Sequence, residues 1–254
     1  MTALAAITLD ELNTVAALQT RVDRKYVLPR RAAEEVLAQL ARLAMPPRAL
    51  EIDGSREAAY ESVYFDTPEL LSYRMAATAR RRRFKLRTRS YLDAGDAYLE
   101  VKTRGARSTT VKERLEYDIR DRDRLTVDAR DYADVALEAI GVDASHLPLQ
   151  PTLLTRYRRA TLLLPGSRSR ATVDTELEWE ADDGRTLALP GVTIVETKSG
   201  SRPSELDRLL WSHGHRPATV SKYGTGMAAL HPELPANKWT RVLRRHFERT
   251  SAHA

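Results

Sequence analysis

The residues best suited to chemistry are lysines and arginines that recur at every second position. Seven of the ten residues from Arg80 to Arg89 are basic, and a second concentration lies between 156 and 170. Guanidinium groups bind phosphate oxygens through paired hydrogen bonds, and ammonium groups act as movable point charges. Local positive charge of this density predicts an anionic partner: nucleic acid, polyphosphate, a nucleotide or a membrane surface.

The spacing of these cations predicts that they share one face of each strand, because successive strand residues point to opposite sides. In Arg83–Tyr91, Lys85, Arg87 and Arg89 alternate with Phe84 and Leu86. Like charges side by side across a sheet repel unless an anion lies among them. The pattern therefore favours a bound polyanion, and an ordinary solvated sheet face is the alternative. The same alternation gives further pairs, Glu100/Lys102, Lys112/Arg114, Arg156/Arg158 and Glu196/Lys198.

Period-two alternation predicts about eight strands that must position these side chains. The short turns between them indicate antiparallel neighbours. The predicted strands are 23–28, 60–65, Arg83–Tyr91, 97–104, 109–119, 153–164, 171–179 and 192–198.

Helical spacing of apolar residues predicts helices at the ends of the chain and in its long connections. The predicted helices are 10–18, 29–43, 128–140, 203–211 and 238–249, and Gly224–Gly226 is interpreted as a turn. Strands in a run with helices around them indicate the α+β class. Eight antiparallel strands are enough for a closed barrel. With the charged faces turned inward, such a barrel would form a cationic tunnel that concentrates positive potential on a polyanion.

Composition narrows the class of protein. The chain has 254 residues, a net charge of +6 and no cysteine, which excludes disulfides, thiolate metal sites and a cysteine nucleophile. No stretch approaches the roughly 20 apolar residues that span a bilayer, and the acidic start does not resemble a signal peptide. We therefore expect a cytoplasmic protein with a single domain over 1–254.

The chain resembles the VTC domain, the polyphosphate polymerase module of the vacuolar transporter chaperone complex, which belongs to the triphosphate tunnel metalloenzymes. The resemblance covers about residues 20–230 and leaves a C-terminal helix at about 238–250. Nine stretches carry it in order: RVDRKYVLP (21–29), YFDTPELLSY (64–73), FKLRTRSY (84–91), YLEVKTR (98–104), VKERLEYD (111–118), PTLLTRYRRATL (151–162), SRATVDTEL (169–177), TIVETKSGSRP (193–203) and SKYGTGM (221–227).

The resemblance implies roles for particular residues. Glu196 is the implied ligand of a metal cofactor, Mn²⁺ or Mg²⁺. The implied catalytic residues are Lys25, Arg87, Arg89, Lys102, Arg158, Arg170 and Lys198. The implied substrate-binding residues are Lys85, Lys112, Arg156, Ser221 and Lys222.

The resemblance further implies an ATP-dependent polyphosphate polymerase that transfers the γ-phosphate of ATP to a growing chain. The implied partners are ATP and polyphosphate, with a separate membrane-protein partner and a position at the inner face of the membrane left open. The related hydrolases begin with two acids before the lysine, whereas Asp23 is alone before Lys25. Glu100, Glu176 and Glu178 could compensate, so a tripolyphosphate or nucleoside triphosphate hydrolase is the alternative.

A non-catalytic module that binds polyphosphate or inositol phosphate is a third candidate. A binder of single-stranded nucleic acid ranks last, because such proteins stack bases on exposed aromatic rings and only 6% of this chain is aromatic. We therefore expect no nucleic-acid partner.

Overall fold

A computed structural model describes residues 4–16, 22–104 and 110–247. The strands are β1 Ala5–Ile7, β2 Val22–Pro29, β3 Arg48–Leu50, β4 Ala58–Asp66, β5 Arg83–Tyr91, β6 Asp96–Arg104, β7 Thr110–Tyr117, β8 Gln150–Leu164, β9 Ser169–Ala181, β10 Thr186–Leu189 and β11 Val192–Ser199. The helices are α1 Leu9–Val15, α2 Arg30–Leu40, α3 Leu71–Ala77, α4 Val127–Glu138, α5 Glu205–Ser212, α6 Lys222–Leu230 and α7 Thr240–His246.

The main path of the sheet has eight strands in the order β2-β11-β9-β8-β4-β5-β6-β7. The registered pairs β2–β11, β9–β11, β4–β5, β5–β6 and β6–β7 are all antiparallel. The α+β class is confirmed as an antiparallel sheet with flanking helices. No pairing within the described ranges joins β2 to β7, so the closed barrel is not confirmed.

The chain divides into two compact units, and β8 and β9 contribute residues to both. Unit 1 contains Met1–Ala58, Tyr157–Leu177 and Leu189–Val220. Its core packs α2 and α5 against one face of β2, β8, β9 and β11, through residues such as Val36, Leu162, Val195 and Leu206. Helix α5 begins at a capping box in which Ser204 and Asp207 each bind the other's backbone N–H. The polar face of these strands is therefore the one that the helices leave uncovered.

Unit 2 contains Ala59–Arg156, Glu178–Ala188 and Ser221–Ala254. Helix α4 packs its small residues Ala129, Ala133 and Ala136 against Leu99 and Val101 and their neighbours on β4 and β5. Burial alternates along the whole of β5, with Phe84, Leu86, Thr88 and Ser90 buried. The odd-numbered residues of β5 therefore share the other face.

The predicted elements lie close to the observed ones. All eight predicted strands and all five predicted helices are present, with ends that differ by a few residues. The short elements β1, β3, β10, α3 and α6, of three to nine residues each, were not predicted from the sequence. Residues 17–18, 105–108 and 248–249, which belong to a predicted helix, a turn and a second helix, lie outside the described residues. Within the described ranges, no helix has the length and apolarity needed to cross a membrane.

Candidate functional site

A cationic face covers β5, β6 and β7 in unit 2. Antiparallel register places Lys85 beside Lys102 and Lys102 beside Lys112, and it places Arg87 beside Glu100. The acids that share this side of the three strands are Asp96, Glu100 and Glu116. The cations, which define the cationic face, are Arg83, Lys85, Arg87, Arg89, Lys102, Arg104, Lys112 and Arg114. Eight cations against three carboxylates leave a net positive surface.

Glu100 organises the centre of the cationic face. Its side chain is 4% exposed, and its Oε2 accepts hydrogen bonds from Nε of Arg87 at 2.8 Å and from Nη2 of Arg87. Its Oε1 lies 2.6 Å from Nζ of Lys112, and Nη1 of Arg89 lies 3.8 Å from Oε2. Burial by itself raises the pKa of Glu100, but these cations outweigh it and hold the pKa far below its ordinary range. Glu100 is therefore ionised and fixes three cations with one charge.

A chain of aromatic contacts supports Arg87 from the side of β4. The Nη1 of Arg87 donates to the hydroxyl of Tyr64 at 2.9 Å, and the Tyr64 ring stacks on Tyr223 at 5.0 Å. Tyr223 donates its hydroxyl to buried Asp66, which also accepts the backbone N–H groups of Ser72 and Tyr73 at 2.8 and 2.9 Å. Within the YFD stretch, Asp66 therefore binds the first turn of α3 and also Tyr223, the ring on which Tyr64 stacks.

Tyrosines mark one end of the cationic face. Tyr91 lies between Tyr60 and Tyr98, with ring centroids 4.8 and 5.9 Å away. Arg89 lies over the Tyr60 ring and Arg114 over the Tyr98 ring, at 5.7 and 4.9 Å. This end therefore combines charge with aromatic surface.

Ser221 joins the cationic face through Lys85, whose Nζ donates to Ser221 Oγ at 2.7 Å. The same oxygen accepts the N–H of Gly224 and caps α6. The interpretation of Gly224–Gly226 as a turn is wrong, because both glycines lie inside α6. A Cβ on Gly224 would meet the Trp239 ring at 2.2 Å, and one on Gly226 would meet Trp179 at 2.3 Å. The glycines therefore admit two tryptophan rings against the helix that carries Ser221.

Lys222 is the first residue of α6 and is half-buried. Its backbone carbonyl accepts Nε1 of Trp179 at 2.9 Å, which fixes this end of the helix. Its assignment to substrate binding stays a prediction.

Unit 1 carries a second polar group on the uncovered face of its strands, the Glu196 cluster. It consists of Asp23, Lys25, Arg159, Arg170, Asp174, Glu196 and Lys198. Nζ of Lys25 lies 3.6 Å from Oε1 of Glu196, and Lys198 donates to the same oxygen. Burial alone raises the pKa of Glu196, but Lys25 and Lys198 overcome it and keep the pKa well below the usual range. Four cations here face three carboxylates.

The other carboxylates of the Glu196 cluster also hold cations. Asp174 accepts Nε and Nη2 of Arg159 at 2.6 and 2.8 Å, in a bidentate pair that is almost fully buried. Asp23 lies 3.5 Å from Nζ of Lys198. Arg170, beside Lys198 in register, donates to the side chain of Asn13 at 2.8 Å. The cluster is therefore a nearly balanced network in which each of the four cations contacts a side-chain oxygen.

The structure does not bring two predicted residues to these faces. Arg158 points to the opposite face of β8 from Arg159 and lies 3.3 Å from Glu57. Arg156 shares that opposite face and binds Glu61 at 3.0 Å. Arg159, which was not predicted from the sequence, lies on the face of Glu196 instead and pairs with Asp174. The stretch TRYRRA contains consecutive arginines, and only the burial of Ala160 and Leu162 among the helices shows which one turns toward Glu196.

The remaining predicted residues fall into two groups by unit. Lys25, Arg170, Glu196 and Lys198 come together in unit 1. The group in unit 2 is Lys85, Arg87, Arg89, Lys102, Lys112 and Ser221. The convergence of all of them on one cationic tunnel stays a prediction.

The donor set of the Glu196 cluster can be tested against a divalent metal. The described residues contain no group of three or more histidine, aspartate or glutamate side chains that could hold an ion by themselves. Glu196 offers one hard carboxylate, and Mg²⁺ in proteins is commonly held by one or two carboxylates together with substrate phosphates. The residues therefore fit an ion that phosphate oxygens help to bind, and they do not form a complete metal cage.

A cavity of about 240 Å³ in unit 2 lies away from the cationic face. Arg156, Trp179 and Glu180 line it together with apolar residues of β8 and β10. Arg156 bridges Glu61 and Glu180 at its edge. The lining holds two carboxylates, Glu178 and Glu180, against the one cation, Arg156, so it differs from the cationic face in charge.

Antiparallel strands, flanking helices and a cationic sheet face define an α+β protein suited to binding anions. A family model described as the VTC domain matches residues 20–231. The chain belongs to the VTC domain family. No curated protein matches it.

Three solved structures are similar to the chain at low identity. HpAC1, a candidate adenylyl cyclase from Hippeastrum described with a dominant triphosphatase activity, has a TM-score of 0.48 at 17% identity over 86% of this chain and 100% of its own. PH1012 from Pyrococcus horikoshii has a TM-score of 0.40 at 13% sequence identity. A conserved hypothetical protein from Pyrococcus furiosus has a TM-score of 0.38 at 15% sequence identity. Both of these matches cover 77% of this chain and 88% of their own. All three TM-scores are below 0.5, so the family assignment rests on the sequence match alone.

Proposed function

We propose that this protein is a metal-dependent polyphosphate polymerase that uses ATP. The observation that carries the proposal is the excess of cations on the cationic face, eight against three carboxylates, in a chain of the VTC family. Phosphoryl transfer asks the protein mainly for positioning and charge neutralisation, and such a surface provides both. The cytoplasmic location and the separate membrane-protein partner belong to the same proposal.

In this reaction an ionised terminal oxygen of the acceptor chain attacks the γ-phosphorus of ATP. A new P–O bond forms there, the bond from the γ-phosphorus to the β-phosphate oxygen breaks, and ADP leaves with the electron pair. This reaction needs no nucleophile from the protein, so the lack of cysteine is compatible with it. Arg87 and Arg89 would bind phosphate oxygens, and Lys85 and Lys112 would neutralise charge along the chain.

The Glu196 cluster would contribute the metal site and further phosphate contacts. Glu196 would hold Mn²⁺ or Mg²⁺ with phosphate oxygens, and the ion would withdraw charge from the transferring group. Lys25 and Lys198 would pass from Glu196 to phosphate oxygens as the ion binds. Arg159, which Asp174 holds in a bidentate pair, would add a further phosphate contact.

Hydrolysis of tripolyphosphate or nucleoside triphosphate is the second candidate. Asp23 and Asp174 lie on the same side of the sheet as Glu196, so the cluster contains carboxylates besides the implied metal ligand. With water as acceptor in place of a phosphate chain, the same cations would support hydrolysis.

A single assay separates the candidates. Purified protein is incubated with ATP and Mn²⁺ or Mg²⁺, long polyphosphate is detected on a gel, and released phosphate is measured in parallel. We expect long chains. Free phosphate without chains would favour the hydrolase, and neither product together with tight polyphosphate binding would favour a non-catalytic module.

Arg87→Ala tests the cationic face directly, with Arg156→Ala as the matched control on the opposite side of the sheet. We expect Arg87→Ala to weaken polyphosphate binding by about 1.5–3 kcal/mol, the usual value of a hydrogen bond to a charged group. Arg156→Ala should leave binding nearly unchanged, because Arg156 pairs with Glu61. Equal losses in calorimetric titrations of the two variants would contradict the assignment of this face.

A further inference from the structure

Three cations that the sequence analysis did not assign lie together at one end of the cationic face. Arg83 begins β5 and is registered opposite Arg104, the last residue of β6. Directly opposite residues have Cβ atoms roughly 4.5–5.5 Å apart. Both occupy the row beyond Lys85 and Lys102 on the same side of the sheet.

Lys238 joins this end from the segment before α7. Its Nζ lies 3.4 Å from the carbonyl oxygen of Ala76 and 5.8 Å from the Trp239 ring centroid. Arg83 likewise donates to a backbone carbonyl, that of Arg80, at 2.7 Å. No ion pair within residues 4–16, 22–104 and 110–247 includes Arg83, Arg104 or Lys238.

The three cations act on one another. Burial lowers the pKa of Lys238, and Arg83 and Arg104 lower it further. Burial and Arg104 together lower the pKa of Arg83. Like charges held this close repel, and an anion bound among them would remove the repulsion.

We propose that Arg83, Arg104 and Lys238 form a subsite for a phosphate group of linear polyphosphate, beyond the row of Lys85 and Lys102. This inference rests on the proposed function. Neighbours on one face of a strand are spaced roughly 6.7 Å apart, so a ligand must carry charge along its length to engage successive rows. A long polyphosphate does so, whereas a short one reaches fewer rows.

The two ends of the cationic face differ in a way that favours a phosphate chain here. The far end carries Tyr60, Tyr91 and Tyr98, which are half-buried and can contact a flat ring. At the Arg83 end the neighbouring ring, Trp239, is only 1% exposed. Lys238 also lies outside residues 20–231, so the subsite uses a residue beyond the family match.

The test compares the binding of tripolyphosphate and long-chain polyphosphate to Lys238→Gln and Arg104→Gln. Arg42→Gln, an exposed cation of unit 1, is the control for the change in net charge. Each subsite variant should bind the long chain roughly tenfold more weakly, the factor that corresponds to one charged contact. Its affinity for tripolyphosphate should stay within about twofold of the wild type. Lys238→Arg, which keeps the positive charge, should bind the long chain about as tightly as the wild type.

Two outcomes would overturn the inference in different ways. In the first outcome, the wild type binds both ligands and Arg87→Ala weakens the binding of both, but Lys238→Gln and Arg104→Gln bind both as tightly as the wild type. The subsite would then be wrong while the proposed function stands. If the subsite variants lose both ligands equally, or Arg42→Gln loses as much, the cations act only through net charge. A wild type that binds neither ligand would remove the proposed function together with the subsite.

Discussion

The Glu196 cluster of unit 1 and the cationic face of unit 2 use the same residue types with different charge balance. In unit 1 four cations meet three carboxylates, and Asp174, Glu196 and Asp23 each hold a cation. On the cationic face of unit 2, the buried carboxylate of Glu100 holds Arg87, Arg89 and Lys112. The first arrangement fixes side chains at little net charge, whereas the second fixes side chains and leaves charge for an anion.

This difference teaches that a buried acid can serve two purposes in a phosphate-binding protein. Glu100 is 4% exposed and would be costly to leave unpaired, so it stays in its ion pairs. The pKa of Glu196 is lowered as well, but two lysines share one of its oxygens, and we expect their ammonium groups to move to phosphate when it binds. We expect the two glutamates to respond differently to the same substitution.

The largest expected effect is on stability, from Glu100→Gln. Removing one partner of a buried ion pair costs about 3–5 kcal/mol, and three cations lose their shared carboxylate here. Urea denaturation at neutral pH should therefore show a large loss of unfolding free energy. An unchanged midpoint would mean that Glu100 does not hold the cationic face together.

The same pair of proteins gives a pH test. The folded-state pKa of Glu100 lies below its ordinary value of 4.5, so its stabilisation is fully present above that pH. It is lost as the pH falls toward the lowered pKa. The difference in stability between wild type and Glu100→Gln should therefore shrink below about pH 4.5, a value close to the ordinary glutamate pKa.

Glu196→Gln should act on turnover instead. We expect a loss of roughly 100-fold or more in metal-dependent activity, above the 10–100-fold typical of groups that only support a metal ligand. Circular dichroism and polyphosphate affinity should stay close to those of the wild type, because the cationic face of unit 2 is intact. Wild-type turnover in this variant would remove Glu196 from the mechanism and erase the contrast with Glu100.

Arg159 and Arg158 sharpen the comparison within one strand. Arg159→Ala should lower turnover by roughly tenfold or more, since it removes a charged contact whose value is about 1.5–3 kcal/mol. Arg158→Ala should leave turnover unchanged, because Arg158 is 39% exposed and its pair with Glu57 is of the surface kind, worth about 0–1 kcal/mol. The reverse ranking in steady-state kinetics would support the catalytic role of Arg158 that the family resemblance implies.

The smallest expected effect concerns Lys112. Burial lowers its pKa, and Glu100 offsets only part of that shift. As the pH rises, Lys112 therefore loses its proton before an ordinary lysine does. The loss of polyphosphate affinity should accordingly begin at a pH lower than 10.5, the ordinary lysine value. Lys112→Arg should move this decline to higher pH in binding titrations. The same profile for both proteins would show that Lys112 does not titrate on the cationic face.

Local sequence patterns were sufficient for most of the fold. Alternation along Arg83–Tyr91 gave β5 with its observed ends, because each residue of a half-buried strand reports its own face. It failed at α6, where the glycines suggested a turn. Inside the helix there, Gly226 and Gly224 lie against the rings of Trp179 and Trp239, which belong to other elements and which the local pattern does not reveal.

By itself, the sequence determined the residue types, the strands and the face on which β5 and β6 carry their cations. Only the tertiary structure decided which of Arg158 and Arg159 accompanies Glu196, and that Glu100 is the shared partner of three cations. It also brought Lys238 from beyond the family match to Arg83 and Arg104. The physical reason is that the two-residue period of a strand determines the face on which each side chain lies. The contacts that a side chain makes there depend on strand register and on packing between segments far apart in the chain.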